Sequence, residues 1–267
     1  MLKDITIGQY FPGTTLVHKL DPRVKITIAI MFIISLFFVD KFIVFLLPFA
    51  YVITTIVVSR LPIKIILKGI KPLRWIILIT FIINVIFTKG EPLFQIGSFV
   101  VSKNGVVEAS FLAIRLLLLI MGASLLTLTT SPISLTDGIE SLFNPLAKIG
   151  FPAHELAMMM TIALRFIPTL LEETDKIMKA QTARGADFES GNIVKRAMNL
   201  VPLLVPLFIN AFRRADDLAV AMEARCYRGA EGRTKLHELN MEKSDYIVLA
   251  IGFLFFGLII ATRYILK

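Results

Sequence analysis

Long apolar runs alternate with short polar stretches along most of the chain. Five of these runs cover roughly residues 24–39, 42–58, 73–88, 106–130 and 245–265. A helix needs about 20 mostly apolar residues to cross the hydrocarbon core of a bilayer, or about 17 at the short end. The pattern therefore predicts five transmembrane helices. Only Asp40 and Lys41 separate the first two runs, which are short enough to pack as a tight hairpin.

The segment between the fourth and fifth runs has a different pattern. Residues 154–171 and 199–212 read HELAMMMTIALRFIPTLL and NLVPLLVPLFINAF, with apolar side chains at helical spacing and charged side chains beyond them. The apolar positions are Leu156, Met160, Ala163, Ile167 and Leu170 in the first stretch, and Leu200, Leu204, Leu207, Ala211, Ala215, Leu218 and Met222 in the second. They predict two long amphipathic helices that lie along or below the membrane. Pro168 should kink the first.

These patterns together predict an all-α fold. The chain is expected to be a polytopic membrane protein with about five transmembrane helices and a domain of amphipathic helices inserted between spans 4 and 5. The predicted regions are residues 1–130 with the first four spans, residues 131–244 with the amphipathic helices, and residues 245–267 with the final span.

Basic residues in the short loops predict the orientation. The loop at 59–74 carries no acidic residue and five basic ones, namely Arg60, Lys64, Lys68, Lys71 and Arg74. The loops at 40–41 and 89–105 carry only three basic residues between them. Because short loops rich in lysine and arginine stay in the cytoplasm, residues 59–74, the N-terminus and the segment 131–244 are expected inside, and the C-terminus outside.

Composition supports the membrane class and excludes several functions. The chain is 56% hydrophobic, with a mean hydropathy of +0.76 and a net charge of +9. The positive excess lies in short loops beside apolar runs, which argues against a nucleic-acid partner. No cleavage site follows an early apolar run, so no cleaved signal peptide is expected. The three histidines lie far apart and no phosphate-binding Walker A loop occurs, so neither a zinc protease nor an ATPase is indicated.

A ten-residue frame occurs twice near the ends of the two amphipathic stretches. The frame D-x-x-x-x-A-x-x-A-R begins at Asp175 and again at Asp216, and it closes at Arg184 and Arg225. A capped, solvated helix end is the simplest interpretation of one such site, since Gly185 follows Arg184. Two copies favour a docking function, because small flanking residues let a partner approach while the planar guanidinium reaches a carboxylate pocket.

The triplets A-R-G at 183–185 and A-R-C at 224–226, in the contexts QTARGAD and AMEARCYRG, resemble the transmembrane T component of energy-coupling factor transporters (EcfT, or CbiQ-like). Four spans followed by cytoplasmic helices and one final span fit the same family, so the resemblance covers essentially the whole chain. It implies a prokaryotic cell-membrane scaffold without catalytic activity or a cofactor of its own. Its implied partners are two ABC-type ATPases, which bind ATP–Mg, and one or several exchangeable substrate-binding S components for vitamins or metal ions.

The resemblance also implies roles for individual residues. In the family, the arginines of the two triplets dock into grooves of the two ATPases, and the middle helices couple ATPase movement to reorientation of the S component. The implied ATPase-coupling residues are Ala183, Arg184, Gly185, Ala224, Arg225 and Cys226. The candidates facing the S component are Met158, Met159, Met160, Leu164, Ile167, Leu204, Leu207 and Phe208. The three consecutive methionines suit an adaptable surface, although a role as core-facing filler explains them equally well.

Two positions depart from a simple pattern. The family usually has glycine after the second arginine, where this chain has Cys226. Cysteine enters the left-handed backbone conformation less cheaply than glycine, so the helix cap there is expected to differ.

Arg115 lies inside the fourth span, with Glu108 on the same helical face. A pairing with a neighbouring polar group such as Asn84 is favoured over a functional role, although buried arginines in membranes are often functional.

Two other functions remain open from the residues alone. A conventional ABC permease would have its own substrate path, but it would be expected to couple through one short cytoplasmic helix. A membrane-embedded lipid phosphotransferase uses a D-G-x-x-A-R motif followed by glycine and further aspartates, which this chain lacks. No set of residues for metal coordination or nucleophilic catalysis is evident elsewhere.

Overall fold

The computed structural model describes residues 10–90, 92–96, 99–188, 192–229 and 239–265. Helices dominate these residues, and their bounds are α1 Leu16–Lys19, α2 Pro22–Phe37, α3 Leu46–Ser59, α4 Ile63–Ile70, α5 Arg74–Phe87, α6 Lys103–Thr129, α7 Pro132–Phe143, α8 Ala153–Ala183, α9 Ile193–Ala224 and α10 Lys243–Ile265. Short 3₁₀ turns at Phe42–Phe45 and Asn144–Ile149 lead into α3 and follow α7. The predicted all-α membrane architecture is confirmed.

Each of the five apolar runs forms a helix. The described residues contain five helices long and apolar enough to cross a bilayer: α3 with its preceding turn, α6, α8, α9 and α10. The helices α4 and α5 are together long and apolar enough to cross a bilayer, but the chain bends by 54° between them. Length and composition alone therefore allow α8 and α9 to span a membrane, and their predicted position along or below it stays a prediction.

Two predicted loops contain regular structure. Residues 63–70, within the basic loop at 59–74, form α4. Residues Pro92–Ile96 and Phe99–Ser102, in the loop before α6, pair as the antiparallel strands β1 and β2. Gln95 pairs with Val100 and Ile96 with Phe99 in this small hairpin. The hairpin is the one departure from an all-helical chain among the described residues.

The chain divides into two compact units. One, the bundle unit, comprises the described residues of Gly8–Ile139 and those from Leu239 onward, and the other, the long-helix unit, comprises the described residues of Glu140–Glu238. The core of the bundle unit is built around α2, whose residues Val24, Ile28, Phe32 and Leu36 repeat at the four-residue spacing of one helical face and are buried. They pack among side chains of α3, α6 and α10.

Phe32 marks the closest approach of these helices. Its ring centroid lies 5.2 Å from that of Tyr51 on α3 and 6.0 Å from that of Phe256 on α10. A Cβ at Gly122 on α6 would lie 2.3 Å from the Phe32 ring, so only glycine allows α6 to pass at this point. Small residues commonly allow such close packing between membrane helices.

Candidate functional site

The two helices of the long-helix unit, α8 and α9, end in the same hydrogen-bonded turn. After α8, Gly185 N–H donates to the Thr182 carbonyl at 3.0 Å, and Ala186 N–H donates to the Gln181 carbonyl at 2.9 Å. This pair of bonds is the Schellman motif, in which the two residues after the helix cap satisfy carbonyls of the last turn. The frame therefore places Arg184 at the helix cap.

The end of α9 repeats this arrangement. Cys226 N–H donates to the Glu223 carbonyl at 2.9 Å, and Tyr227 N–H donates to the Met222 carbonyl at 3.1 Å. Arg225 occupies the cap position. The two frames thus share their backbone hydrogen bonds as well as their sequence.

The expectation that the second cap would differ is wrong. Gly185 has a φ of +88°, and Cys226 has a φ of +57°, so both residues adopt the left-handed conformation. For a residue with a side chain this conformation costs about 1–2 kcal/mol. Two hydrogen bonds to otherwise unsatisfied carbonyls offset that cost, because each contributes roughly 0.5–1.5 kcal/mol. The hydrogen bonding of the cap, rather than the intrinsic preference of cysteine, determines the conformation here.

Both triplets are accessible to a partner. All six of their residues are exposed, and neither arginine forms an ion pair with a described residue. An exposed guanidinium at a helix end lies at the negative pole of the helix dipole, which stabilises it by about 0.3–1 kcal/mol. Its five donors remain available for a carboxylate.

An ion pair joins α8 and α9 at the equivalent positions two residues before each frame. Glu173 accepts a short hydrogen bond from Arg214, and these residues are 41 positions apart, the same offset that separates Arg184 from Arg225. Each arginine of the frame therefore lies 11 residues, or about 16 Å of helix, beyond the ion pair. Both helix ends therefore lie the same number of residues from the Glu173–Arg214 ion pair.

A second contact shows how the two helices run. Asn199 Nδ2, early in α9, donates to the carbonyl of Asp187, just after the end of α8, at 2.5 Å. Going from the ion pair to this contact, the chain direction is forward along α8 and backward along α9, so the two helices are antiparallel here. The ends that carry Arg184 and Arg225 consequently point away from each other, and about 33 Å of helix separates them at 1.5 Å per residue.

The residues proposed to face an S component lie on α8 and α9. Met159, Met160, Ile167, Leu204 and Phe208 are exposed, whereas Met158, Leu164 and Leu207 are half-buried. Exposure of five large apolar side chains to water is unfavourable, because apolar surface gains stability when it is buried. The interpretation of the methionines as core-facing filler is therefore not supported for Met159 and Met160.

Arg115 has a structural role, with a different partner from the one suggested. Its Nη2 donates to the Val39 carbonyl at 3.0 Å, and its guanidinium carbon lies 5.1 Å from the centre of the Phe111 ring and 5.8 Å from that of Phe37. Asn84 instead donates to the Thr80 carbonyl within its own helix. The backbone after α2 and two aromatic faces thus hold the charge in place.

Sequence reasoning missed a buried polar cluster where four helix ends of the bundle unit meet. Lys25 Nζ donates to the carbonyls of His18, at 2.9 Å, and Thr129, at 3.1 Å, which lie at the ends of α1 and α6. Asp245 accepts the backbone N–H of Asp21 at 2.9 Å, which joins the start of α10 to the start of α2. Lys25 is 8% exposed and Asp245 is 3% exposed.

Arg23 completes this cluster. Asp21 accepts the Arg23 backbone N–H as a helix cap and also pairs with its guanidinium, while Arg23 Nη2 donates to the Leu239 carbonyl at 2.5 Å. The cluster therefore joins the end of α6 at Thr129 to Leu239, where the chain rejoins the bundle unit. Asp21 followed by Pro22 was the available signal, since this pair is typical of a helix start.

The fold and site define a helical multi-pass membrane protein with two exposed helix ends that share one sequence frame and one cap geometry. Among the described residues no cluster of three potential metal ligands occurs. Comparison with known proteins specifies the class. The family model described as cobalt transport protein (CbiQ) matches residues 13–236. The chain is 55% identical over 261 residues to a Thermosediminibacter oceani protein, covering 97% of this chain and 98% of the relative.

Further relatives carry the same name. The chain is 58% identical over 249 residues to a protein of Clostridium kluyveri, covering 92% of each, and 50% identical over 250 residues to one of Bacillus subtilis, covering 93% and 94%. All three are named energy-coupling factor transporter transmembrane protein EcfT. The chain therefore belongs to the EcfT family, and it is a multi-pass membrane component of a transporter rather than an enzyme.

Proposed function

We propose that the chain couples ATP hydrolysis by two ABC-type ATPases to the reorientation of a substrate-binding S component that imports a vitamin or another micronutrient. The observation that supports this is the pair of helix ends. They share one sequence frame and one cap geometry, and they lie equally far from the Glu173–Arg214 ion pair. Two equivalent ends separated by about 33 Å of helix suit two copies, or two close relatives, of one kind of partner.

In this proposal each partner ATPase binds its own ATP–Mg, and Arg184 and Arg225 each enter an acidic groove on one of them. Ala183 and Ala224 allow close approach beside the guanidinium, and the left-handed residues Gly185 and Cys226 turn the chain away from the contact. The exposed apolar surface of α8 and α9 receives the S component, so that a movement of either helix end is transmitted along a helix about 45 Å long.

Charge reversal at the two ends tests the proposal. In the complete transporter reconstituted in vesicles, Arg184→Glu and Arg225→Glu should each lower substrate-dependent ATP hydrolysis and uptake at least tenfold, and the double variant should be worse. Placing a carboxylate against an acidic groove replaces attraction with repulsion, and losing one partner of a buried charge pair costs about 2–5 kcal/mol.

Arg196→Glu is the matched control, because Arg196 is an exposed arginine near the start of α9 and lies outside both frames. This variant should transport normally. Normal uptake by the Arg184→Glu/Arg225→Glu double variant would refute the docking role. Co-purification distinguishes the alternatives, since a conventional permease would bring down its own binding protein and a lipid phosphotransferase would bring down no ATPase.

The apolar surface has a separate test. Replacing Met159 and Met160 with valine should weaken exchange between different S components, because a branched side chain adapts less well than methionine. Uptake rates are measured while two S components with different substrates compete for the complex. Unchanged uptake of every substrate would show that these methionines do not form the adaptable surface.

A further inference from the structure

The helix α4 presents three lysines on one side and packs against the bundle unit with the other. Lys64, Lys68 and Lys71 follow the i, i+4, i+7 spacing, which puts them within a sector of about 60° around the helix axis. Ile66, on the opposite side, is 1% exposed. A Cβ at Gly69 would lie 3.3 Å from Ser124 Oγ on α6, which shows how closely α4 approaches that helix. The lysine side consequently faces outward.

Positive charge at this place is uncompensated. Arg60 precedes α4 and Arg74 begins α5, so five exposed cations lie within 15 residues, and no acidic residue occurs between residues 59 and 90. None of the five pairs with a described carboxylate. We call these five residues, together with α4, the basic elbow. Like charges this close repel one another, so an anionic ligand that binds here gains attraction from several of them at once.

The surroundings of the basic elbow are those of a membrane surface. The axis of α4 is inclined by 54° to that of the apolar helix α5, so the chain bends at the end of a spanning segment. Beside the lysines, Ile63 and Leu67 are 65% and 56% exposed. Trp75 is exposed as well, and the guanidinium carbon of Arg74 lies 5.4 Å from the centre of its ring. Tryptophan at a helix end next to arginine is typical of the headgroup layer of a bilayer.

We propose that the basic elbow is a binding site for the headgroup of an anionic phospholipid. Lys64, Lys68 and Lys71 bind the phosphate, while Ile63 and Leu67 contact the acyl chains of the same lipid layer. The combination favours a lipid over a soluble partner, because a protein or nucleic-acid surface would leave the apolar flank and Trp75 without a matching environment. The bound lipid neutralises the elbow and holds α4 at the membrane surface.

Lipid retention tests this proposal on the full chain. The protein is reconstituted in vesicles made of equal parts phosphatidylglycerol and phosphatidylethanolamine, extracted gently, and examined by native mass spectrometry. Wild type should retain phosphatidylglycerol in preference to phosphatidylethanolamine. Lys64→Gln/Lys68→Gln should lower that retention on the order of tenfold, since each lysine near an anionic lipid surface contributes a severalfold factor.

Lys89→Gln/Lys103→Gln is the matched control, since it removes two exposed lysines from the loop at 89–105. It should retain phosphatidylglycerol like wild type, and Lys64→Arg/Lys68→Arg should as well, which separates loss of charge from loss of folding. Equal retention by wild type and Lys64→Gln/Lys68→Gln would overturn the proposal, as would an equal loss in the control. If wild type shows no lipid preference and Lys64→Gln/Lys68→Gln fails to co-purify the ATPases, the basic elbow binds a protein partner. That result would likewise overturn the proposal.

Discussion

Cys226 shows most clearly how a single residue departs from its sequence preference. It holds φ = +57° at the position where the equivalent turn has Gly185. Replacing it with glycine removes the steric cost of the left-handed conformation, and the greater freedom of glycine in the unfolded chain offsets part of the gain. We expect Cys226→Gly to stabilise the last turn of α9 by about 0.5–1 kcal/mol, measured as slower amide hydrogen exchange at residues 222–227.

Gly185→Ala is the opposite case. A Cβ there would meet no atom within 4 Å, so its cost comes from the backbone conformation alone, at φ = +88°. Faster exchange at residues 181–186, corresponding to about 1 kcal/mol, is the expected result. If Gly185→Ala were neutral and Cys226→Gly destabilising, the cost of the left-handed conformation would not determine the stability of these turns.

His18 gives the first helical turn a dependence on pH. Burial is the main reason that its pKa is lowered from the ordinary 6.5, and the positive charge of Lys25 acts in the same direction. In the neutral ring, Nε2–H donates to the Phe11 carbonyl at 3.1 Å and Nδ1 accepts from the Thr15 hydroxyl at 2.7 Å. Because the unfolded segment binds the proton more tightly, the stability that His18 contributes is present above pH 6.5 and decreases as the pH falls below it.

Acidification from pH 7 to pH 5 should therefore speed amide exchange at residues 11–20 in the wild-type protein. His18→Gln, which cannot titrate in this range, should show little dependence on pH across the same interval. An identical response of wild type and variant would mean that another group controls this segment.

At the scale of elements, the polar cluster at the helix ends of the bundle unit is expected to carry much of its stability. Asp245 accepts backbone N–H groups from Asp21 and Glu242, each at 2.9 Å, in a nearly fully buried position. Asp245→Ala leaves both donors without this acceptor, and each unsatisfied buried group costs about 1–3 kcal/mol. We expect a loss of about 2–4 kcal/mol in the free energy of unfolding, measured by denaturation in detergent, with Asp245→Asn intermediate.

Asp40→Ala provides the comparison. Asp40 pairs with Arg263 at 2.8 Å, but its side chain is 52% exposed, and such pairs contribute at most about 1 kcal/mol. Similar losses for Asp245→Ala and Asp40→Ala would show that burial of the cluster does not matter.

The contrast between these elements explains what the sequence could predict. The five apolar runs identified helices because apolar length is a local property. The repeated frame located both triplets for the same reason, although it could not show that the helices run antiparallel. The cluster was missed because Asp21 and Asp245 are 224 residues apart, and no local pattern joins them. The helix α4 was missed because the loop at 59–74 was interpreted only through its charge, although its lysines already had helical spacing.

For the whole molecule, the testable quantity is its orientation. The five cations of the basic elbow outnumber the three basic residues in the loops at 40–41 and 89–105, and such an excess marks the cytoplasmic side. One span, α5, then puts Lys89 outside. If α8 and α9 do not cross the membrane, the two spans α5 and α6 put Cys226 inside. Cys226 is the one cysteine of the chain and is exposed, so it serves as a natural probe.

A membrane-impermeant maleimide should label Cys226 in inside-out vesicles and not in right-side-out vesicles, when the chain is expressed without the proposed ATPase partners. In Cys226→Ala/Lys89→Cys the sidedness should reverse, since residue 89 lies beyond one span from the basic elbow. Labelling of both positions from the same side would contradict the predicted path of the chain. If each position is labelled only from the side opposite to the expected one, the charge of the basic elbow does not set the orientation. The proposed ATPase docking ends would then face away from the cytoplasm.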